Sequence, residues 1–137
     1  MSRVVAVIQA RLGSARLPGK VLLDLAGRPL LVHVIERAQA IRGVDAVVLA
    51  VPHLDVDPMF GALAPLPDFV KPAVLSGPLH DVLGRFMVVV EEYQPDIIIR
   101  LTGDTPLLAP DVAEQALAAF HVQGVDYLGT THPELAV

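Results

Sequence analysis

The sequence predicts a three-layer α/β sandwich with a mainly parallel central sheet, formed by a single domain over residues 1–137. Short apolar runs rich in Val and Ile, of which Val4–Gln9 is the first, alternate along the chain with longer segments whose apolar residues have helical spacing. Strands and helices that alternate in this way form parallel sheets covered on both faces. A chain of 137 residues has room for one such domain and not for two.

The first part of the chain predicts a strand, a loop, a helix and a second strand. Val4–Gln9 is a continuous apolar run, as expected of a strand buried on both faces, and a polar loop follows to about Gly27. Pro29 is tolerated in the first turn of a helix, and the segment PLLVHVIERAQAIR has helical apolar spacing and ends before Gly43. Ala46–Val51 is the second predicted strand.

The middle of the chain is interrupted by prolines. We expect residues 52–72 to form an irregular connection with at most one helical turn, around Met59–Leu63. Ala73–Gly77 predicts a short strand. Leu79–Tyr93 predicts a helix, because its apolar residues fall on one face, and Asp81 lies near its start.

The last part of the chain predicts a strand followed by a helix. Asp96–Leu101 is another short apolar run, and Pro110–Gln123 has a helical pattern that Gly124 closes. Asp126–Gly129 is compatible with the beginning of a further strand.

Composition excludes several classes of function. The net charge of −5 argues against general nucleic-acid binding, which requires a basic face. The absence of cysteine excludes disulfides and thiolate metal sites. No apolar run has the length of a signal segment or a membrane span, so we expect a cytoplasmic protein that does not bind membranes.

The loop after the first strand is unusual in an acidic protein because it contains three cations. Arg11, Arg16 and Lys20 alternate there with Gly13 and Gly19. Glycine loops let backbone N–H groups approach an anion, and the cations would neutralise a polyphosphate. The spacing is not that of a Walker A loop, nor that of a dinucleotide-binding fingerprint. The alternative is a solvated connection whose charges only add solubility.

A second polar cluster, TGDTP, follows the predicted strand Asp96–Leu101. Ligands of parallel sheets bind beyond the carboxyl ends of the strands, so this cluster and the cationic loop are expected at one edge. Asp104 is a suitable Mg²⁺ ligand, because this ion usually takes one or two carboxylates and completes its shell with substrate phosphates. The alternative is a turn aspartate that satisfies local N–H groups. Arg100 either reaches the substrate or caps the strand edge.

Three sequence blocks together resemble the N-terminal part of a known enzyme family. They are IQARLGSARLPGKVLLDLAGRPLLVHVIERA, then DVLGRF and then RLTGDTPLL. The chain resembles cytidylyltransferases of the CMP-sugar synthetase superfamily, of the spore coat polysaccharide type that is related to acylneuraminate cytidylyltransferases. The resemblance implies a nucleotide-diphospho-sugar transferase fold, which is glycosyltransferase A-like. It also implies transfer of a cytidylyl group from CTP to a sugar or sugar acid, with release of pyrophosphate and with Mg²⁺ as cofactor.

The resemblance also implies roles for individual residues. Lys20, Arg11 and Asp104 would be catalytic, and Asp104 would bind the metal. The residues implied in nucleotide binding are Gln9, Ala10, Arg11, Gly13, Ser14, Arg16, Gly19, Lys20 and Arg85.

The sequence departs from the family in two respects. Pro78 and His80 precede the DVL motif, where the family usually has acidic residues or Ser. Family members also continue well beyond the point where THPELAV ends this chain, so we expect a C-terminally shortened fold without most of the acceptor-sugar pocket. An apolar surface exposed by that shortening predicts self-association into a homo-oligomer.

Two other functions remain open from the sequence. One is a nucleotidyltransferase with a different nucleotide, such as a molybdenum-cofactor guanylyltransferase. The other is a non-catalytic nucleotide-binding or assembly protein. Nucleotide selectivity distinguishes a guanylyltransferase from a cytidylyltransferase. Release of pyrophosphate distinguishes either enzyme from a non-catalytic protein. The sequence does not identify the acceptor sugar.

Overall fold

The computed structural model describes residues 2–68 and 71–130, which form an α/β fold around a four-stranded parallel sheet. In chain order the elements are β1 (Val4–Gln9), β2 (Asp24–Leu25), β3 (Arg28–Pro29), α1 (Leu30–Gln39), β4 (Ala46–Pro52), α2 (Val56–Leu63), β5 (Ala73–Gly77), α3 (Val82–Tyr93), β6 (Ile97–Thr102) and α4 (Pro110–Gln123). The sheet has the strand order β5-β4-β1-β6, and β2 and β3 form a separate two-stranded hairpin.

β1 is the central strand, which explains its continuous apolar sequence. It pairs in parallel with β4 on one side and with β6 on the other, so that Ile8 lies beside Leu49 and Leu101. Side chains alternate between the two faces of a strand, and both faces of β1 are buried. Ile8 points toward the α1 and α2 layer, whereas Val7 points toward α3. The predicted three-layer sandwich with a parallel sheet is therefore confirmed.

The segment 52–72 is more ordered than predicted. A short 3₁₀ turn, His53–Asp55, leads into α2, which has eight residues and buries Met59 and Leu63 against the sheet. The expectation of at most one helical turn was wrong. Pro58 occupies the third position of α2, where the N–H that proline lacks would have no partner within the helix.

The loop after β1 also contains structure that was not predicted. A 3₁₀ turn at Lys20–Leu22 is followed by the β2–β3 hairpin, whose turn places Ala26 and Gly27 at φ 52° and 86°. Since Pro29 pairs with Asp24 in this hairpin, its backbone is extended and α1 begins one residue later than predicted.

Two further predictions need correction. α3 begins at Val82 rather than Leu79, because the Asp81 carboxylate accepts a hydrogen bond from Gly84 N at 2.8 Å and caps the helix there. No strand begins at Asp126–Gly129, because these residues pair with none of the described strands. α4 was predicted with its correct bounds and is closed by Gly124 at φ 61°. In the described ranges, no helix has the length and hydrophobicity to cross a bilayer.

Candidate functional site

An open cleft of about 330 Å³ lies at the carboxyl ends of β1 and β6, where the two polar clusters of the sequence meet. The residues that line it are Gln9, Ala10, Arg11, Gly13, Ser14, Lys20, Val21, Val82, Arg85, Thr102, Gly103 and Asp104. The cleft therefore lies where ligands of parallel α/β sheets are expected to bind.

The cationic loop is closed on itself by backbone hydrogen bonds. Gly19 N donates to Leu12 O at 2.8 Å, and Gly19 adopts φ 69°, a left-handed conformation that glycine reaches without steric cost. Lys20 then begins the short 3₁₀ turn at the cleft wall. This closure returns the chain to the cleft, so that Arg11 and Lys20 face the same cavity.

A buried carboxylate holds the same loop from behind. Asp55 is only 1% exposed, and its Oδ2 accepts a hydrogen bond from Leu12 N at 3.0 Å. Asp55 ends the short 3₁₀ turn that follows β4, within the proline-rich segment that the sequence predicts to be irregular. An acidic residue shortly after a buried strand is a signal of a site residue, but its partner, Leu12 N, could not be predicted from the sequence.

Lys20 and Asp104 form an ion pair across the cleft, with 2.8 Å between Lys20 Nζ and Asp104 Oδ2. The hydrogen bond from Lys20 is the main cause that lowers the pKa of the Asp104 carboxyl below its ordinary value, and a smaller contribution comes from Thr102. Partial burial acts in the opposite direction. Asp104 is therefore a carboxylate at neutral pH.

Gly103 brings the end of β1 against the turn that contains Asp104. Its N–H donates to Gln9 O at 2.8 Å. A Cβ at this position would lie 2.9 Å from the Ala10 Cβ, closer than such atoms approach in proteins. Only glycine therefore permits this contact without a shift of the backbone, and the contact fixes the position of Asp104.

Arg85 is a buried cation in the wall of the cleft. It is 2% exposed, and its Nη1 donates to the carbonyl oxygens of Pro78 and Leu79 at 3.2 and 2.9 Å. Its Nε is buried and has no hydrogen-bond partner among the residues that the structure describes. Burial, followed by the positive charge of Arg11, lowers the Arg85 pKa, whereas the carboxylate of Asp55 opposes this shift.

Gln9 is oriented by a residue on the neighbouring strand. Arg100 Nε donates to Gln9 Oε1 at 3.0 Å, and the Arg100 guanidinium lies 5.8 Å from the centre of the Phe86 ring. The sequence left open whether Arg100 reaches the substrate or caps the strand edge, and the contact that the structure shows is with the side chain of Gln9 in the cleft.

Most residues predicted for the site line one cavity. The structure brings together Gln9, Ala10, Arg11, Gly13, Ser14, Lys20, Arg85 and Asp104. Two predicted residues are not in the lining: Arg16, which is exposed, and Gly19, whose observed role is to close the loop. Four lining residues were not predicted as site residues: Val21, Val82, Thr102 and Gly103. Of these, Thr102 and Gly103 belong to the TGDTP cluster, whereas nothing in the sequence distinguished the two valines from core residues.

The residues of the cleft fit one mode of binding a divalent cation. In residues 2–68 and 71–130, no group of three or more His, Asp or Glu side chains is placed to hold a metal. Among the described residues that line the cleft, Asp104 is the only one with a carboxylate. This donor set suits an ion such as Mg²⁺ that takes one carboxylate and several phosphate oxygens, and does not suit an ion enclosed by protein ligands.

Comparison with known proteins identifies the family of the chain. A family model described as cytidylyltransferase matches residues 5–135. The chain belongs to this family. The resemblance drawn from the three sequence blocks is thereby confirmed.

Two curated proteins are similar to this chain over most of its length. The chain is 40% identical over 121 residues to 3-deoxy-manno-octulosonate cytidylyltransferase of Anaeromyxobacter dehalogenans. This alignment covers 87% of this chain and 48% of the relative. It is 36% identical over 131 residues to the spore coat polysaccharide biosynthesis protein SpsF of Bacillus subtilis, with coverages of 93% and 53%.

A solved structure confirms the fold of the family member. It is CMP:2-keto-3-deoxy-manno-octonic acid synthetase complexed with CTP, which aligns with a TM-score of 0.76 and 33% identity. The alignment covers 90% of this chain and 49% of that protein. The chain thus spans about half the length of the relatives that it matches.

Proposed function

We propose that the chain binds CTP in the cleft and transfers its cytidylyl group to a sugar or sugar acid in surface polysaccharide biosynthesis. The main support is the convergence of Lys20 and Asp104 at the carboxyl edge of the sheet, in a chain of the cytidylyltransferase family. A cation and a carboxylate that face one cavity provide the two kinds of group that a metal-bound triphosphate requires.

In this proposal the cationic loop binds the triphosphate. Lys20 and Arg11 neutralise negative charge on the phosphates, and backbone N–H groups near Gly13 and Ser14 approach the oxygens. Arg16 stays a prediction from the family resemblance, because the cleft lining does not support it. Asp104 would hold Mg²⁺, whose charge would further neutralise the phosphate oxygens when it is bound.

The proposed reaction is a substitution at the α-phosphorus. A hydroxyl oxygen of the sugar forms a bond to that phosphorus, the bond from phosphorus to the bridging oxygen breaks, and pyrophosphate leaves. The hydroxyl proton is released to solvent. Lys20 and Arg11 favour the transition state because negative charge grows on the leaving pyrophosphate beside them. The remaining contribution is positioning, to which Gly103 and Asp55 contribute through the contacts described above.

The first test is nucleotide binding, measured by thermal shift and calorimetry with CTP, UTP, ATP and GTP in the presence and absence of Mg²⁺. A nucleotide present at 100 times its Kd stabilises the fold by about 2.7 kcal/mol, which raises Tm by several degrees at this size. We expect the largest shift with CTP and Mg²⁺. Absence of a shift with every nucleotide would contradict the proposal.

A matched pair of lysine variants makes this test specific. Lys20 and Lys71 each pair with an aspartate, at 2.8 and 2.9 Å, and their side chains are similarly exposed. Lys71 is not part of the cleft lining. We expect Lys20→Ala to abolish the CTP shift and Lys71→Ala to retain it.

Catalysis is tested by pyrophosphate release from CTP with candidate sugar acids, including 3-deoxy-manno-octulosonate. Binding without release would favour a nucleotide-binding or assembly protein, and a preference for GTP would favour a guanylyltransferase.

We also propose that the protein is cytoplasmic and self-associates. Large apolar side chains exposed on the surface support self-association: Leu83, Leu107, Val122 and Tyr127. Sedimentation of a monomer at high concentration would contradict it.

A further inference from the structure

The orientation of the Gln9 side chain follows from the chemistry of its partner. Arg100 Nε lies 3.0 Å from one end of the Gln9 amide. A guanidinium nitrogen only donates hydrogen bonds, so the atom that it contacts must be the amide oxygen. The choice between the two ends of the amide is thereby fixed by Arg100, and the NH₂ group is the end that remains for the cleft.

Arg100 is itself held in place by a second contact. Its guanidinium lies over the Phe86 ring of α3, 5.8 Å from the ring centre, which is within the range of a cation–π interaction. The backbone of Gln9 is fixed as well, because its carbonyl oxygen accepts the N–H of Gly103. Gln9 therefore meets a ligand with both backbone and side chain already positioned.

The surroundings of Gln9 differ from those of the phosphate-binding loop. Gln9 lies on the face of the sheet that α3 covers, and the nearby cleft wall includes Val82 and Arg85 from that helix. An apolar side chain next to fixed hydrogen-bond donors suits a flat base, which combines an apolar face with a polar edge, better than it suits a phosphate.

We propose that Arg100 is a positioning residue that holds Gln9 with its amide N–H groups directed at a hydrogen-bond acceptor on the base of the bound nucleotide. Gln9 would then be a specificity-determining residue. The acceptor that distinguishes the bases is N3 of cytosine, because N3 of uracil bears a hydrogen and repels a donor, whereas the O2 acceptor is common to both bases. This inference rests on the proposed nucleotide binding and deepens it by naming the group that distinguishes the bases.

The test compares the Kd values of CTP, UTP and pyrophosphate, measured by calorimetry, for the full chain and its variants. Gln9→Leu removes the donor, and we expect CTP affinity to fall about tenfold, with pyrophosphate affinity changed less than twofold. Gln9→Glu keeps the shape and the contact with Arg100 but has no N–H to donate. We expect this variant to lose CTP affinity while its Tm and its pyrophosphate affinity are maintained, whereas an equal loss for pyrophosphate would be caused by the added negative charge and would contradict a hydrogen bond to the base.

A double-variant cycle tests the role assigned to Arg100. We expect Arg100→Leu alone to weaken CTP binding three- to fivefold, and Gln9→Leu with Arg100→Leu to bind CTP no more weakly than Gln9→Leu alone. Independent, multiplying effects would overturn the positioning role. Arg42→Leu is the control, since Arg42 is exposed and pairs with Glu114 away from the cleft.

The outcomes separate the two proposals. No CTP binding by the unmodified chain would overturn the nucleotide-binding function. CTP binding that Gln9→Leu and Gln9→Glu both leave unchanged would overturn only the inference about Gln9 and Arg100. Should Arg100→Leu fail to fold, the Gln9→Glu variant still decides whether Gln9 donates to the base.

Discussion

Lys20 and Asp104 are 84 positions apart in sequence, yet their charged groups form an ion pair across the cleft, at 2.8 Å. In the absence of ligand, each group neutralises the other. A bound triphosphate competes for Lys20, and a bound cation competes for Asp104, so the two ligands weaken the pair from opposite sides. Each should therefore favour binding of the other, which is measurable as a lower Kd for CTP when Mg²⁺ is present.

The same pair predicts a pH dependence of stability. The Asp104 pKa is lower in the folded protein than in the unfolded chain, mainly because of the hydrogen bond from Lys20. Its contribution to stability is therefore complete above the ordinary pKa of an aspartate and is lost as pH falls through the lower folded pKa. Both side chains are more than a third exposed, so we expect less than about 1 kcal/mol.

The measurement is Tm from pH 6 down to pH 2.5 for the unmodified chain and Asp104→Asn. We expect the unmodified chain to be the more stable near pH 6 and the difference to vanish at the acid end. Parallel curves over the whole range would show that the ion pair adds no stability. High salt at pH 6 is the control, since it should reduce the difference by screening.

We expect a large loss of stability when the buried carboxylate of Asp55 is removed. Asp55→Ala leaves Leu12 N without its acceptor and removes a negative charge that compensates Arg85. We expect unfolding free energy to fall by about 3 kcal/mol in urea denaturation. Asp57→Ala is the matched control because Asp57 is exposed in the first turn of α2, and a loss of no more than about 1 kcal/mol is expected. Equal losses would refute a special role for Asp55.

The electrostatic relationship between Asp55 and Arg85 predicts non-additivity. Arg85→Met removes the hydrogen bonds to Pro78 and Leu79 and leaves Asp55 without that positive charge. Each single variant is penalised for the charge that remains buried, whereas the double variant avoids this cost. We expect the double variant to lose at least about 1 kcal/mol less than the sum of the single losses. Strict additivity in denaturant titrations would exclude the coupling.

Two glycine variants should change stability in opposite directions. Gly103→Ala places a Cβ against Ala10, and we expect a loss of about 1–3 kcal/mol together with roughly tenfold weaker CTP binding. Gly61→Ala in α2 meets no atom within 4 Å, and we expect a gain of about 0.5–1 kcal/mol without a change in CTP affinity. Both follow from thermal unfolding and calorimetry. A stable Gly103→Ala with normal affinity would contradict the close-contact interpretation.

The meeting of Lys20 and Asp104 was predictable because parallel strands end at the same sheet edge, and both residues follow apolar runs. The contact between Asp55 and Leu12 was not predictable, because it joins residues 43 positions apart through one backbone N–H. The five prolines of residues 52–72 also hid α2, since proline weakens a helical pattern even where the first turn accommodates it. Arg16 was predicted as a nucleotide-binding residue from its charge and from the family resemblance, and it is exposed, in the segment that the hydrogen bond between Leu12 and Gly19 closes, outside the cleft lining.

The hydrogen bond from Leu12 to Asp55 has an evolutionary consequence. Because a buried group beneath the loop orders it, the entropic cost of shaping the anion site is met during folding and not during ligand capture. Affinity and fold stability are therefore not independent traits in this chain. A substitution in α2 that displaces Asp55 should weaken CTP binding before it unfolds the protein. Sequence change in that helix is therefore constrained by a ligand that the helix does not contact.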